Sequence, residues 1–176
     1  MIPTLVSERL VCKPLSTAHL SEEYVSWLND PEVNRYLETD GGHDIEKLRT
    51  FLLEVEKKQI LFWAIHLKDD THIGNIKIDP VNARHGTCEY GILMGRKNEW
   101  GKGYAYEVSK TVIQYCFDQL GLRKMTLGVV ADNIAALSLY KKLGFTPEGI
   151  YKDHGVYDGK YCDMIRMALF NPISKK

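Results

Sequence analysis

The spacing of apolar residues changes at Ile60. Before that point it is helical. "STAHLSEEYVSWLND" puts Leu20, Tyr24, Trp27 and Leu28 on one face of a helix, with Ser16 or Thr17 as cap. Asn29-Asp30-Pro31 closes it, and a short helical turn from Glu32 to Leu37 follows. "DIEKLRTFLLEVEKKQ" predicts a second amphipathic helix capped by Asp44. Ahead of both, "PTLVSERLVCKPL" alternates in part and predicts one first strand.

After Ile60 the period shortens. "ILFWAIHL", "IGNIKIDPV" and "TCEYGILMG" predict three consecutive strands, joined by the turns "DDTH" and "NARHG". A glycine-rich segment then leads into a long helix from Tyr104 to Leu120, with Val108, Val112, Tyr115, Cys116 and Gln119 spaced along it and Gly121 as its stop. "RKMTLGVV" predicts a strand. "DNIAALSLYKKLG" predicts a helix capped by Asp132 or Asn133 and stopped by Gly144. The chain ends in two strands around "YDGK". The order β-α-α-β-β-β-α-β-α-β-β, without repeat or linker, predicts one α+β or mixed α/β domain over residues 1–176.

Composition narrows the function. The 176 residues are enough for one core, and 44% hydrophobic with 26% charged residues is ordinary for a globular chain. The formal net charge is zero, so nucleic-acid binding through bulk charge is not expected. Cys12, Cys88, Cys116 and Cys162 are scattered, with no companion at ligand spacing, so no metal site is expected. "MIPTLVSERL" lacks the form of a signal peptide, and no apolar run reaches membrane-spanning length. The expectation is a cytoplasmic protein with free thiols and no membrane partner.

The candidate chemistry lies in "EWGKGYAYEVSK". A strand enters a turn stripped of bulky side chains, and a helix begins there. The first turn of a helix carries unpaired N–H groups and a positive dipole end. Gly101, Gly103 and Ala105 let an anion touch that backbone, and Lys102 adds a positive charge. The segment reads as a phosphate or pyrophosphate cradle; the plainer reading is a tight turn with glycines for geometry alone. No Gly-Lys-Ser/Thr closes a Walker A loop. A dinucleotide fingerprint half fits, with Tyr106 where its third glycine belongs, and the hairpin strands ahead of the loop argue against that fold.

The run "GILMGRKNEWGKGYAYEVSKTVIQYCFDQLGLRKMTLGVVADNIAALSLYKKLGF" resembles the GNAT superfamily of N-acetyltransferases, and within it the branch of the ribosomal-protein enzymes RimJ and RimL. That family's coenzyme A loop runs Gln/Arg-x-x-Gly-x-Gly/Ala. Here it is Trp100-Gly101-Lys102-Gly103-Tyr104-Ala105, with Trp100 departing from the usual first residue. "DNIAALSLYKKLGF" is similar to the family's later helix, Asn-x-x-Ala-x-x-x-Tyr-x-x-x-Gly-Phe in form. The likeness covers residues 86–170 and extends more loosely through "ERLVCKPL" and "WLNDPEVNRYLE".

The resemblance implies a central mixed, mostly antiparallel sheet of about seven strands flanked by about four helices. It implies acetyl-CoA as cosubstrate, its pantetheine arm between the strands at Glu89–Gly95 and Lys124–Val130. Backbone groups near Leu93 and Met94 would bond the arm and the acetyl carbonyl. The pyrophosphate would sit on Gly101, Lys102, Gly103, Tyr104 and Ala105, and Asn133 would contact the pantetheine. Tyr140 falls on the family's tyrosine near the coenzyme sulfur. A phenol, with reference pKa near ~10, is protonated at neutral pH and can donate to a departing thiolate. Direct attack by the amine needs no enzyme nucleophile, and Cys88 and Cys116 read as core residues. For the general base two residues compete: Glu89, on a strand that carries bases in several relatives, and His154, on the closing strands. His66, His72 and His85 read as strand-end or turn residues.

The amino-terminal third is left to shape the acceptor pocket. The acceptor is expected to be the amine of a small molecule, such as an amino sugar on a nucleotide. That expectation rests on the style of "NIAALSLYKKLGFTPEGIYKDHGVYDGKYCDMIRMAL", with Arg35 or Lys77 to meet a sugar-nucleotide phosphate. A protein or peptide amino terminus is the alternative that the RimJ/RimL likeness implies. A polyamine is the third, drawing on Asp30, Glu32, Glu38, Asp40 and Asp44. A non-catalytic acetyl-CoA-binding module and a dinucleotide-binding protein remain as readings of another class. A homodimer is expected only because the branch commonly forms one.

Overall fold

The computed structural model describes residues 2–37, 39 and 41–174. Glu38 and Asp40, two of the acids considered for a polyamine pocket, lie outside the described residues. The strands are β1 (Leu5–Val6), β2 (Leu10–Pro14), β3 (Leu61–Leu67), β4 (His72–Asn82), β5 (Thr87–Met94), β6 (Lys124–Val130), β7 (Thr146–Tyr157) and β8 (Lys160–Phe170). The helices are α1 (Glu22–Asn29), α2 (Pro31–Asn34), α3 (Ile45–Lys58), α4 (Tyr104–Gln114) and α5 (Ile134–Leu143). The sheet runs β1-β2-β3-β4-β5-β6-β8-β7. β5 and β6 pair in parallel, whereas β1-β2, β2-β3, β3-β4, β6-β8 and β7-β8 are antiparallel. This is the mixed, mostly antiparallel architecture expected, with eight strands and five α-helices among the described residues.

Two compact units divide the chain: Met1–Asp79 with Gly91–Thr111, and Pro80–Tyr90 with Val112–Lys176. In the first, Leu15, Tyr24, Val25, Trp27, Leu48, Leu52, Val55 and Ala64 form a buried cluster. Local chemistry sets its helices. The Ser21 hydroxyl accepts from the Tyr24 N–H, and the Asp44 carboxylate from the Lys47 N–H at 2.8 Å. Ser16 caps only a single 3₁₀ turn, Thr17–His19, so the helix read from Ser16 onward is in fact two pieces.

The single first strand is also two. The Ser7 N–H bonds the Leu10 carbonyl, and the Ser7 hydroxyl accepts from the Leu10 N–H at 3.2 Å. This turn folds β1 back on β2, with Leu5 opposite Cys12. In the second unit the long helix stops being α-helical at Gln114 and widens into a π turn, Tyr115–Gln119. The Leu120 N–H reaches five residues back to Tyr115. Buried Asn171 closes this end, its Nδ2 donating to the carbonyls of Phe117 and Leu122.

His19, His66 and His72 form one ring cluster in the first unit. Their centroids lie 5.1–5.4 Å apart, and His72 also packs on Tyr24 and Trp27. Burial, against the pull of its bond to Asn75, drives His72 down to about 4. His19 is lowered too, chiefly by burial. Asp70 faces the cluster, pairing with His66 and Lys13. Because the folded value for His72 lies below its usual 6.5, folding favours the neutral ring. The His72 contribution is whole above that value and is lost as pH falls toward 4, roughly 2 kcal/mol of it by about pH 5. Urea unfolding of the wild type is expected to show this loss between about pH 7.5 and 5, and His72→Gln is expected to flatten it. An equal loss in both proteins would place the effect elsewhere.

Candidate active site

The glycine segment has the backbone form its sequence suggests. β5 ends at Met94, where the N–H groups of Gly95 and Arg96 both turn to the Ile73 carbonyl. A 3₁₀ turn, Lys97–Glu99, leads to Gly101 at φ +75° and Gly103 at φ +82°, and α4 starts at Tyr104. A side chain at Gly101 would meet nothing within 4 Å, and one at Gly103 only the Arg9 guanidinium at 3.6 Å. Among the described residues, no carbonyl or side chain accepts from the N–H groups of Gly101, Lys102, Gly103, Tyr104 or Ala105. Five consecutive donors at a helix start, with an open face, are the arrangement that an anion cradle requires.

The neighbouring side chains refine this picture. The Lys102 ammonium is paired with Glu99 at 2.8 Å, so the positive charge it adds to the loop is shared with a carboxylate. The Trp100 indole N–H donates back to the Met94 carbonyl at 2.9 Å, which ties the loop to the end of β5. Leu93 packs partly buried on the core cluster. Arg9 and Glu107 brace the loop, and sequence reasoning missed both.

The second unit carries the other candidates. Tyr140 lies on α5, nine-tenths buried, edge-on to Tyr90 at 5.7 Å and tilted on Phe145 at 6.0 Å. Burial pushes its phenol up to about 12. Asn133 caps α5, its Oδ1 accepting from the Ala136 N–H at 3.2 Å, so the carboxamide oxygen is already engaged. Among the described residues β5 pairs with β6 only through Thr87, Cys88 and Glu89, although β6 continues to Val130.

Glu89 and Tyr90 are successive strand residues and face opposite sides, so Glu89 lies away from the ring cluster of Tyr90 and Tyr140. Arg166 holds Glu89 by both oxygens, at 3.0 and 3.2 Å. β6 lies between them in the sheet, and Gly128 there is directly opposite Arg166. A Cβ on Gly128 would come within 2.8 Å of the Arg166 guanidinium, so its absence lets the arginine pass over. A base at Glu89 must therefore first part from a guanidinium. His154 sits on a bulge of β7, between the pairs Tyr151–Met164 and Gly155–Cys162. It is exposed, packs on Tyr151 at 5.1 Å and has no polar partner among the described residues.

Asp30 and Glu32 are both paired with Lys97, and Asp44 is occupied as the α3 cap. The described members of the acidic group are thus already engaged. Cys88 and Cys116 are buried, as core thiols should be. Among the described residues no cluster of His, Cys, Asp or Glu is arranged to hold a metal ion, and no helix is long and apolar enough to cross a membrane.

The chain is similar to known acetyltransferases. The family model described as an acetyltransferase (GNAT) domain matches residues 9–146. N-acetyltransferase p20 of Bacillus licheniformis is 28% identical over 171 residues, covering 94% of this chain and 95% of that protein. The spermidine N(1)-acetyltransferase of Escherichia coli is 32% identical over 102 residues, 58% of this chain and 54% of that protein. The crystal structure of spermidine N-acetyltransferase from Vibrio cholerae, in complex with CoA and spermine, superposes with a TM-score of 0.85 at 22% identity, covering 93% of this chain and 96% of that one. The chain belongs to the GNAT family and is an acetyl-CoA-dependent N-acetyltransferase.

Proposed function

We propose that residues 1–176 act as one N-acetyltransferase domain that moves the acetyl group of acetyl-CoA to the primary amine of a small molecule by direct attack. The observation that carries the coenzyme assignment is the row of five unpaired N–H groups from Gly101 to Ala105. They take the pyrophosphate, while backbone groups at Leu93 and Met94 and the side chain of Asn133 serve the pantetheine and acetyl group. The amine nitrogen forms the new bond to the acetyl carbon, the carbon–sulfur bond breaks, and one amine proton ends on the coenzyme thiol. Tyr140 donates a hydrogen bond to that sulfur as its charge develops.

Before attack the acceptor must lose the extra proton of its ammonium form, and that proton passes through His154 to solvent. The availability of its imidazole supports this over Glu89, whose oxygens are both held by Arg166. For the acceptor we favour an amino-deoxy sugar carried on a nucleotide, supported by the style of the α5–β8 run and by the neutralised acids at Asp30 and Glu32. A polyamine is the second reading, favoured by the likeness to the spermidine enzymes. A peptide amine, as in the RimJ/RimL branch, is the third, and that branch also supplies the expectation of a homodimer.

Acetyl transfer from acetyl-CoA to a panel of nucleotide-linked amino sugars, spermidine and peptides with free amino termini tests this. The expected result is a kcat/KM for the amino sugars at least about tenfold above the others. Preference for spermidine or a peptide would replace the acceptor and leave the transferase reading intact. Run across pH, the same assay is expected to lose its acidic limb in His154→Gln; a limb that survives there and disappears in Glu89→Gln returns the base to Glu89.

A further inference from the structure

Arg9 stands in the turn between β1 and β2, far in sequence from the glycine loop, yet its side chain ends on it. The Arg9 Nε donates to Glu107 Oε2 at 2.6 Å, and its backbone N–H to Oε1 at 2.7 Å. The Ser7 hydroxyl donates to the same Oε1 at 2.7 Å. Burial works against the charge on Glu107, but these bonds outweigh it and hold the carboxyl below its usual value. The guanidinium lies 4.6 Å from the centre of the Tyr104 ring. Its Nη1 donates to the Lys102 carbonyl at 3.0 Å.

That last bond has a geometric consequence. In a trans peptide the C=O and the following N–H point in opposite directions. With the Lys102 carbonyl drawn to Arg9, the N–H of Gly103 is turned the other way, and no protein group accepts from it among the described residues. Gly103 keeps this arrangement at φ +82°, a conformation in which side chains are disfavoured. A positive charge on the carbonyl also polarises the peptide and strengthens its N–H as a donor.

We propose that Arg9 is a positioning residue for acetyl-CoA: acting through the Lys102–Gly103 peptide, it aims the Gly103 N–H at the pyrophosphate. Glu107 and Ser7 fix Arg9 in turn, so the turn after β1 is part of the binding machinery. This rests on the reading of Gly101–Ala105 as the pyrophosphate cradle.

The test is a CoA titration of protein carrying isotope-labelled glycine, followed by amide NMR, with the Gly103 signal assigned by its loss in Gly103→Ala. In the wild type the Gly103 amide proton is expected to move downfield on binding. In Arg9→Ala the affinity is expected to fall about tenfold, and the Gly103 displacement at saturation to shrink. Arg9→Lys, with the charge but not the fork, is expected to fall between, and it carries the comparison if Arg9→Ala does not fold. An undiminished Gly103 displacement in the Arg9 variants would overturn the proposal, even if their melting temperature fell. A wild-type Gly103 amide that stays still while CoA binds would overturn the cradle reading itself, and the proposal with it.

Discussion

Tyr140→Phe is expected to lower kcat roughly 10- to 100-fold while leaving KM for acetyl-CoA within about twofold. The size follows from what the hydroxyl does. A hydrogen bond to a group that is becoming an anion contributes about 1.5–3 kcal/mol. It is strong only when the sulfur carries charge, so its loss falls on the transition state rather than on binding. The elevated phenol value matters here. At about 12 it lies about 3.5 units above an ordinary thiol, so complete transfer of its proton to the thiolate is uphill by roughly 5 kcal/mol. On the proposed mechanism Tyr140 therefore keeps its proton and donates a hydrogen bond, and the amine supplies the proton that ends on sulfur. Phenylalanine preserves the ring contacts with Tyr90 and Phe145, so the melting temperature should hold. Steady-state kinetics check the split. Unaltered turnover would reduce Tyr140 to a packing residue.

Gly103→Val is expected to weaken acetyl-CoA binding by about a hundredfold, close to 3 kcal/mol. Space is not the obstacle, since a Cβ there meets only Arg9 at 3.6 Å. The obstacle is φ +82°, which a β-branched residue adopts at a cost of roughly 1–3 kcal/mol. The loop relieves that strain by rotating, and rotation turns the N–H groups of Lys102 and Gly103 away from their common target. The buried core of the first unit is not touched, so the fold should persist.

Much of the fold was legible because its signals are local. Asp44 and Asn133 cap their helices through bonds three residues on, and Gly144 ends α5 in the left-handed conformation. The glycine loop was legible for the same reason, since a strand, two glycines and a helix start are contiguous. The misreadings have distant causes. β1 and β2 looked like one strand because the partner that holds Ser7 and Arg9 is Glu107, about a hundred residues away. The engagement of Glu89 depends on Arg166 and on the bare Gly128 beneath it, three positions on three strands. Lys97 closes on Asp30 and Glu32 across a gap of over sixty residues, so an acidic cluster in sequence is an ion-pair network in space. The histidines at the β3–β4 turn read singly as strand-end residues, and only folding brings His19 onto them.

The central claim is that the backbone of Gly101–Ala105 holds acetyl-CoA. Calorimetric titration of the wild type and Gly103→Val with acetyl-CoA, with NADH as the parallel ligand, tests it most directly. The account predicts tight acetyl-CoA binding to the wild type, about a hundredfold weaker binding to the folded variant, and no heat with NADH. Equal acetyl-CoA affinity in the two proteins would contradict it.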